Sequence, residues 1–428
     1  MSTVTEKKDF TSVVVEACTA QTPADHQQVR GQALQALSTL KLPAQKAEEY
    51  RFTPIVRTLE KLFPEWPSAV TGAAELRDIK PFLVDGVDTF VVVLINGRYD
   101  EKLSNTQGAP MKVGSLDSAV SSDVLFKLAD FSQDAFVALN TAAWTGGVSI
   151  NVADNQTVAK PVLLLNIIDA SEAQVATHSR LAVSLGKKSS LSLISRNVFI
   201  GDKNSFSTLV EELLVTENAS LNYCRIQDDA REFSFTQTNI RQLTESHVNT
   251  FTLTLDGKLI RNNLSIAIDG ERSESHFHGL YLLGGETLAD NHTVVDHRKP
   301  NSVSNELYKG VMDGKSKAVF NGKIFVRPDA QKTNAFQSNR NILLSEQSSI
   351  NTKPQLEIWA DDVKCSHGCT TGQLDEEAMF YLRSRGIPKQ QARAMLLYAF
   401  TAETFSFIEN DSLRSYINGL VSQRLNKI

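Results

Sequence analysis

The spacing of apolar residues near the N-terminus is that of α-helices. Apolar side chains recur every three or four residues over residues 29–40 and again over Asp123–Asn140, which predicts a helix in each place. A short apolar run, Phe90–Ile95, predicts a buried strand between them. Residues 1–20 show no such period and are expected to form a mobile or loosely docked arm. The pattern predicts a mostly helical N-terminal region over residues 1–147.

The period changes to two over residues 148–372, which predicts a β region. Phe251, Leu253 and Leu255 alternate with threonines and are followed by a turn at Asp256-Gly257. Similar short runs follow one another with almost no helical stretch between them. Roughly 200 residues of this kind exceed one compact sandwich, so a parallel β-helix that stacks turn on turn is favoured. A double sandwich and a cupin-like barrel are the alternatives.

The helical period returns after Gly372, which predicts a C-terminal helical domain over residues 373–428. Its central helix, Lys389–Phe407, carries more apolar residues than one buried face requires. The surplus fits either a cap over the open end of the β-stack or a docking site for another protein. The candidates for docking are Met395, Leu396, Phe400 and Phe405.

Composition narrows the range of partners. The chain has 428 residues, of which 41% are hydrophobic and 22% charged, so it can bury a large core. Its net charge of −5 gives no attraction for nucleic acid or for an anionic membrane. The apolar runs are too short to span a membrane, and four cysteines are too few for a disulfide framework. We therefore expect a cytoplasmic protein without nucleic-acid or membrane partners.

Three side chains that bind metals lie within five residues of each other in the segment Thr352–Gly372. They are Cys365, His367 and Cys369. On a strand all three share one face, with successive side chains roughly 6.5–7 Å apart, so they cannot close around one ion. Any metal site here therefore needs further ligands from elsewhere, such as a partner chain. The alternative is a buried edge with unreactive thiols and a hydrogen-bonded histidine.

Two histidine pairs in the β region form a second candidate site. His276 and His278 are spaced like two histidines of a cupin metal site, and His292 and His297 could add ligands in space. The alternative function is therefore a metal-dependent β-fold enzyme that uses these four side chains. Leucines stand where the cupin carboxylate should be, and polar ladders along a stacked β surface would explain both pairs without metal.

One glycine-rich segment, Gly310–Ser316, is similar to a phosphate-binding loop but has one residue too few between its glycines. Strand-like sequence continues after it, whereas a phosphate-binding loop leads from a strand into a helix. The segment is therefore predicted to be a turn. We do not expect the chain to hydrolyse ATP or to be an enzyme of that class.

Several longer segments resemble the SufB/SufD family of iron–sulfur cluster assembly proteins. The similarity continues through LDEEAMFYLRSRGI and, more weakly, over most of the chain. The KCSHG sequence followed by GQLDEEA is similar to the SufD branch of the family. Signatures of this length are specific, unlike any three-residue motif. The segments are NELYKG at Asn305–Gly310, FNGK at Phe320–Lys323, RPDAQKT at Arg327–Thr333, and Thr352–Gln373.

The resemblance implies a mainly β protein, with a right-handed parallel β-helix flanked by helical regions, that acts as a non-catalytic scaffold. It implies two partners, SufB at the edge of the β-helix and the ATPase SufC at the C-terminal helices. A homodimer is an expected alternative for the isolated chain. No stably bound cofactor is expected on this chain alone.

The resemblance also assigns roles to the metal-binding segment. The residues that match Cys365 and His367 lie at the junction between SufB and SufD, and the histidine is the stronger candidate ligand for transient iron or a nascent cluster. A contribution to iron acquisition is implied. Cys369 departs from the family, in which this position is usually alanine, and its role stays open.

Overall fold

The computed structural model describes residues 9–20, 26–67, 79–116 and 124–428. Its helices are α1 (Phe10–Ala20), α2 (Gln27–Leu40), α3 (Ile55–Leu62), α4 (Ala135–Ala142), α5 (Glu376–Ser384), α6 (Lys389–Ala402) and α7 (Asp411–Leu425). Its strands are β1 (Phe90–Ile95), β2 (Arg98–Tyr99), β3 (Lys112–Ser115), β4 (Gly146–Val152), β5 (Val162–Asp169), β6 (Val175–Leu185), β7 (Ser190–Ile200), β8 (Ser205–Val215), β9 (Ser220–Gln227), β10 (Phe233–Gln242), β11 (His247–Thr254), β12 (Leu259–Ile268), β13 (Glu274–Leu283), β14 (Leu288–His297), β15 (Val303–Met312), β16 (Lys317–Val326), β17 (Asn334–Leu343), β18 (Ser349–Ile358) and β19 (Lys364–Gly372).

The strands form a parallel β-solenoid. From β4 onward, successive strands alternate between a ten-stranded sheet, which ends in β17 and β19, and a nine-stranded sheet, which ends in β16 and β18. Each strand pairs in parallel with the strand two places along the chain, so Glu306 of β15 is aligned with Gln337 of β17. The predicted stacked β-helix is confirmed, and the double sandwich and cupin-like barrel are wrong. The ten-stranded sheet already includes β1, upstream of residue 148, and the last strand ends at Gly372.

Three apolar layers hold the solenoid together. The space between the two sheets contains side chains such as Val148, Leu193 and Phe277. The outer face of the ten-stranded sheet packs against α6 and α7, whereas the outer face of the nine-stranded sheet packs against the N-terminal helices. Strands buried on both faces need nearly continuous apolar sequence, as in β5. The C-terminal helices therefore cover a side of the solenoid, and the predicted cap over its open end is wrong.

The N-terminal arm was predicted wrongly for the residues that the structure describes. Residues 10–20 form α1, because Phe10, Val14 and Cys18 recur at four-residue steps and are buried against the other N-terminal helices. Residues 1–8 lie outside the described residues. None of the helices in the described ranges is long and apolar enough to cross a membrane.

The helix predicted over Asp123–Asn140 is shorter and begins later. Helix α4 starts at Ala135, where the carboxylate of Asp134 accepts hydrogen bonds from the first-turn N–H groups. The preceding residues form turns because four consecutive backbone N–H groups, those of residues 126–129, donate to the carboxylate of Glu212. A distant carboxylate thus replaces the helical hydrogen bonds of that segment. Asp123 itself lies outside the described residues.

Candidate functional site

The last coil of the solenoid, formed by β18 and β19, is called the terminal coil. Strand β18 is the last strand of one sheet and β19 the last strand of the other, and in the described ranges each pairs with one neighbour. Almost every residue of β19 is exposed. A long edge strand with free backbone N–H and C=O groups is a template for pairing with another strand. The terminal coil is therefore the natural place for a partner.

The three predicted metal-binding side chains lie on β19. Cys365, His367 and Cys369 alternate along the strand, so they share one face, as the spacing predicted. This face continues the one that lines the interior, because Cys365 packs against the core between the sheets. Burial raises the pKa of its half-buried thiol, while a backbone hydrogen bond with Ala335 partly opposes the shift. His367 and Cys369 are exposed.

These three side chains do not form a complete metal site in the structure. Within the described ranges, no group of three or more histidine, cysteine or acidic side chains is close enough together to hold a metal ion. Cys365, His367 and Cys369 are therefore placed on one face but not around one point. One or two of these side chains can each supply one ligand to an ion or cluster whose other ligands come from a different chain.

A column of polar side chains lies beneath His367 and was missed by the sequence reasoning. His367 is aligned with Gln337 of β17, which is aligned with Glu306 of β15. The amide nitrogen Nε2 of Gln337 donates to Oε2 of Glu306 over 2.6 Å, and both side chains are buried. Burial raises the pKa of Glu306 to about 7. The available signal was the NELYKG segment, which places a glutamate on the same strand face as Tyr308 and Met312.

The four histidines of the alternative metal site do not converge. His276 contacts Glu274 at 2.9 Å, whereas His278 stacks on Phe407 with ring centroids 3.8 Å apart. Nε2 of His297, which is buried, lies 2.8 Å from the Ser304 hydroxyl. Desolvation lowers the pKa of His278 and of His297 to about 4, and the neighbouring His276 lowers that of His278 further.

The fourth histidine, His292, belongs to an ionic junction on the other side of the solenoid. Its ring nitrogens lie 3.2 Å from Glu49 and 3.0 Å from Asp290. Glu49 also binds Lys323 at 2.7 Å, and these contacts hold its pKa well below the usual range despite partial burial. The junction borders a cleft of about 790 Å³ between the N-terminal helices and the nine-stranded sheet. Arg261 forms an ion pair with Asp290, as Lys323 does with Glu49, and these contacts join the N-terminal region to the solenoid. The four histidines do not form one site, so the alternative of a four-histidine metal site is wrong.

The predicted docking residues on the C-terminal helices differ in exposure. Met395 is 45% exposed and Leu396 is half-buried. Phe400 is half-buried and packs against the Nζ of Lys309, which lies 4.9 Å from the ring centre. Helix α6 ends at Ala402 and not at Phe407 as predicted, so Phe405 lies in the following turn, where it is buried against Phe251 and offers no surface to a partner. Two of the four candidates are thus largely occupied within the chain.

An apolar groove lies between α6 and α7. Its volume is about 450 Å³, and Met395, Tyr398 and Leu425 contribute to its walls. On the neighbouring α5, Phe380 is 75% exposed and Tyr381 is 57% exposed, and sequence reasoning did not single out either. Large exposed aromatic side chains of this kind mark surfaces that bind other proteins.

Comparison with known proteins covers nearly the whole chain. Residues 166–400 match the family model described as "SUF system FeS cluster assembly, SufBD core domain", and residues 13–164 match "SufBD protein N-terminal region". The iron–sulfur cluster assembly protein SufD of Escherichia coli is 31% identical over 399 residues, which is 92% of each chain. A SufBD family protein of Synechocystis is 31% identical over 410 residues, covering 92% of this chain and 89% of that protein. SufD of Bacillus subtilis is 24% identical over 293 residues, covering 67% of this chain and 66% of that one.

Proposed function

The chain belongs to the SufB/SufD family of iron–sulfur cluster assembly proteins, and we propose that it is a non-catalytic scaffold subunit acting with a SufB-type solenoid and a SufC-type ATPase. The terminal coil carries this proposal. It combines two edge strands that can each accept a partner strand with an incomplete set of metal-binding side chains at the same place. Neither feature is useful to a chain that works alone.

Strand pairing would supply the contact with the SufB-type subunit. The open edges of β18 and β19 can continue both sheets into a second solenoid, so that the backbone groups on each side become hydrogen-bonded. Exposed apolar side chains close to these edges would add to the buried area on association. They are Phe336, Ile358 and Trp359, with exposures of 43%, 40% and 48%. A second copy of this chain is the competing partner when SufB is absent.

Iron or a nascent cluster is the cargo of the proposed junction. The imidazole of His367 is exposed and is a ligand that suits borderline iron, while the Cys365 thiolate binds iron more tightly. A site that must later release its cargo is better served by one exchangeable imidazole than by a cage of thiolates. The partner would supply the remaining ligands. This arrangement supports a role in iron acquisition at the junction.

The ATPase would be a separate subunit that binds the C-terminal helices, and this chain would not hydrolyse ATP itself. The groove between α6 and α7 exposes Met395 and Tyr398, and none of its lining residues belongs to β18 or β19. The glycine-rich segment Gly310–Ser316 begins in the last residues of β15 and continues as the turn before β16. It therefore connects two strands and does not lead into a helix. Lys315 in that turn contacts Glu286 at 3.4 Å. These features support the expectation that ATP hydrolysis belongs to the partner.

The ligand role of His367 is tested by co-expressing the chain with both partners and purifying on a tag on this chain alone. His367→Ala should leave the complex intact but sharply reduce its iron content and visible absorption, because the exchangeable ligand is lost. Cys369→Ala is the matched control on the same exposed face and should change little. Unaltered iron in the intact His367→Ala complex would refute the ligand role.

A further inference from the structure

The residues Glu306, Gln337 and His367 form one continuous row, called the inner column. They occupy aligned positions on β15, β17 and β19. Aligned residues of parallel strands point to the same face, and neighbouring strands lie about 4.8 Å apart. The side chain of His367 therefore leaves the backbone on the same face as Gln337, one strand further along, and the amide of Gln337 contacts the carboxylate of Glu306.

The carboxylate of Glu306 fixes which end of the Gln337 amide faces His367. Nε2 of Gln337 is committed to Oε2 of Glu306 at 2.6 Å, so the amide oxygen Oε1 is directed away from that contact. Gln337 is only 3% exposed, and its Oε1 is buried without a hydrogen-bond partner in the described chain. A buried acceptor left unpaired is destabilising, so a donor at this point would stabilise the folded chain.

A glycine from the opposite sheet holds the same amide in place. A side chain at Gly322 of β16 would put its Cβ 2.1 Å from Nε2 and 2.7 Å from Cδ of Gln337. The amide can occupy its position only because residue 322 is glycine. Glu306 belongs to the NELYKG segment and Gly322 to the FNGK segment, neither of which contains a predicted metal ligand. Glu306 accepts a hydrogen bond from Gln337, and Gly322 leaves the space that the amide of Gln337 occupies.

We propose that Gln337 is a positioning residue for His367: the imidazole, which makes no hydrogen bond to Gln337 in this structure, turns inward and donates from one ring nitrogen to the unpaired Oε1 of Gln337. An acceptor at this place selects the tautomer in which the inward nitrogen carries the proton. The other nitrogen then keeps its lone pair and faces the open edge of the terminal coil. A hydrogen bond from the ring nitrogen that does not bind metal orients a histidine ligand and raises the basicity of the other nitrogen. The inference rests on the proposed function, because it concerns the same histidine.

The first test measures the tautomer directly and needs no metal. The full chain is labelled with ¹⁵N-histidine, and the His367 signals are assigned by their loss in His367→Ala. One neutral tautomer should dominate in the unsubstituted chain, and Gln337→Leu should convert it to a mixture because the acceptor is gone. Ser338→Ala, on the same strand but the opposite face, is the matched control and should leave the tautomer unchanged.

A second variant tests the same hydrogen bond independently, in case Gln337→Leu does not fold. Gly322→Ala keeps both Gln337 and His367 but displaces the amide, so it should also mix the tautomers, with folding checked by the melting temperature. An unchanged tautomer in a folded Gln337→Leu or Gly322→Ala chain would overturn the proposal.

The second test measures iron affinity in the complex purified with both partners. Gln337→Leu should lower the affinity about 10–100-fold, the usual effect of removing such a supporting contact. If His367→Ala loses iron while Gln337→Leu binds it normally, the positioning role fails and the ligand role stands. If His367→Ala binds iron normally while the tautomer still follows Gln337, the ligand role fails and the inner column stands.

Discussion

The two ends of the solenoid are built differently. At the first end, β1 pairs with the two-residue strand β2 and β4 pairs with the four-residue strand β3, both antiparallel. At the other end, β18 and β19 are ten and nine residues long and remain parallel and in register with the coil before them. A short antiparallel strand ends a stack of parallel strands, whereas a full-length parallel strand leaves a row of backbone N–H and C=O groups available for pairing with another strand. The first end is closed by strands of the chain itself, whereas the terminal coil leaves the edges of both sheets open to pairing.

The largest loss of stability is expected from breaking the buried ion pair of the early coils. Arg180 and Glu212 lie 2.7 Å apart with almost no exposure, and Glu212 also accepts four backbone hydrogen bonds. Glu212→Ala leaves a buried guanidinium without a counter-charge and should cost about 3–5 kcal/mol in the free energy of unfolding. Chemical denaturation measures it. Glu357→Ala, at the exposed end of β18, is the control and should change stability by less than about 0.5 kcal/mol.

Two substitutions in the C-terminal helical region, one on α6 and one in the turn after it, should separate packing from docking. Phe405→Ala empties a buried position beside Phe251 and should destabilise the chain by about 3–5 kcal/mol. Met395→Asp changes an exposed side chain and should alter stability by less than about 0.5 kcal/mol while weakening capture of the ATPase subunit. Denaturation curves and pull-downs of both variants measure the two effects. Equal destabilisation by the two substitutions would show that the groove is an internal contact.

The free energy of unfolding is expected to depend on pH through His297, a buried histidine on β14. Burial lowers the folded-state pKa of His297 to about 4, from a usual value near 6.5. The neutral ring is therefore favoured by folding. Its contribution is complete above pH 6.5 and is lost as the pH falls towards 4, by up to about 3 kcal/mol. Urea midpoints measured between pH 7.5 and pH 5 should fall less steeply for His297→Gln.

The control for this prediction is Ser304→Ala, which removes the hydroxyl beside Nε2 but keeps the imidazole. That variant should be less stable at every pH and retain the slope. An unchanged slope in His297→Gln would assign the acid sensitivity to other groups.

The smallest effect on stability, with a large effect on pairing, is expected at the open edge of β19. The N–H of Lys364 donates to Thr333 of the preceding coil, and such bonds alternate along a parallel strand. The N–H of Thr371 therefore points to the open edge. Thr371→Pro removes it without breaking an internal bond, so the melting temperature should change by only a few degrees while SufB-type capture falls. Thr371→Val keeps the N–H and should behave like the unsubstituted chain; a folded Thr371→Pro chain that still binds its partner would argue against strand pairing.

Much of the architecture follows from local pattern. The alternation around Phe251 and Leu253, the helical period of α6 and α7, and the shared face of Cys365, His367 and Cys369 all depend on spacing alone. The family signatures identified the stacked β fold because whole segments, and not single residues, match. The errors concern α1, the start of α4, the end of α6 and the place where α6 and α7 pack. In the case of α4 the deciding group, the Glu212 carboxylate, lies more than 80 residues away along the chain.

Residue spacing and local segments were enough to predict the strand and helix periods, the family and the residues with metal chemistry, because these depend on neighbours along the chain. What those residues face depends on how distant segments pack together. The tertiary structure buried Phe405 while leaving Met395 exposed, separated the four histidines, and aligned Gln337 between Glu306 and His367. Alignment across coils depends on the length of every intervening turn, and burial depends on which faces the helices cover. Both result from contacts between distant segments, and local spacing carries no record of them.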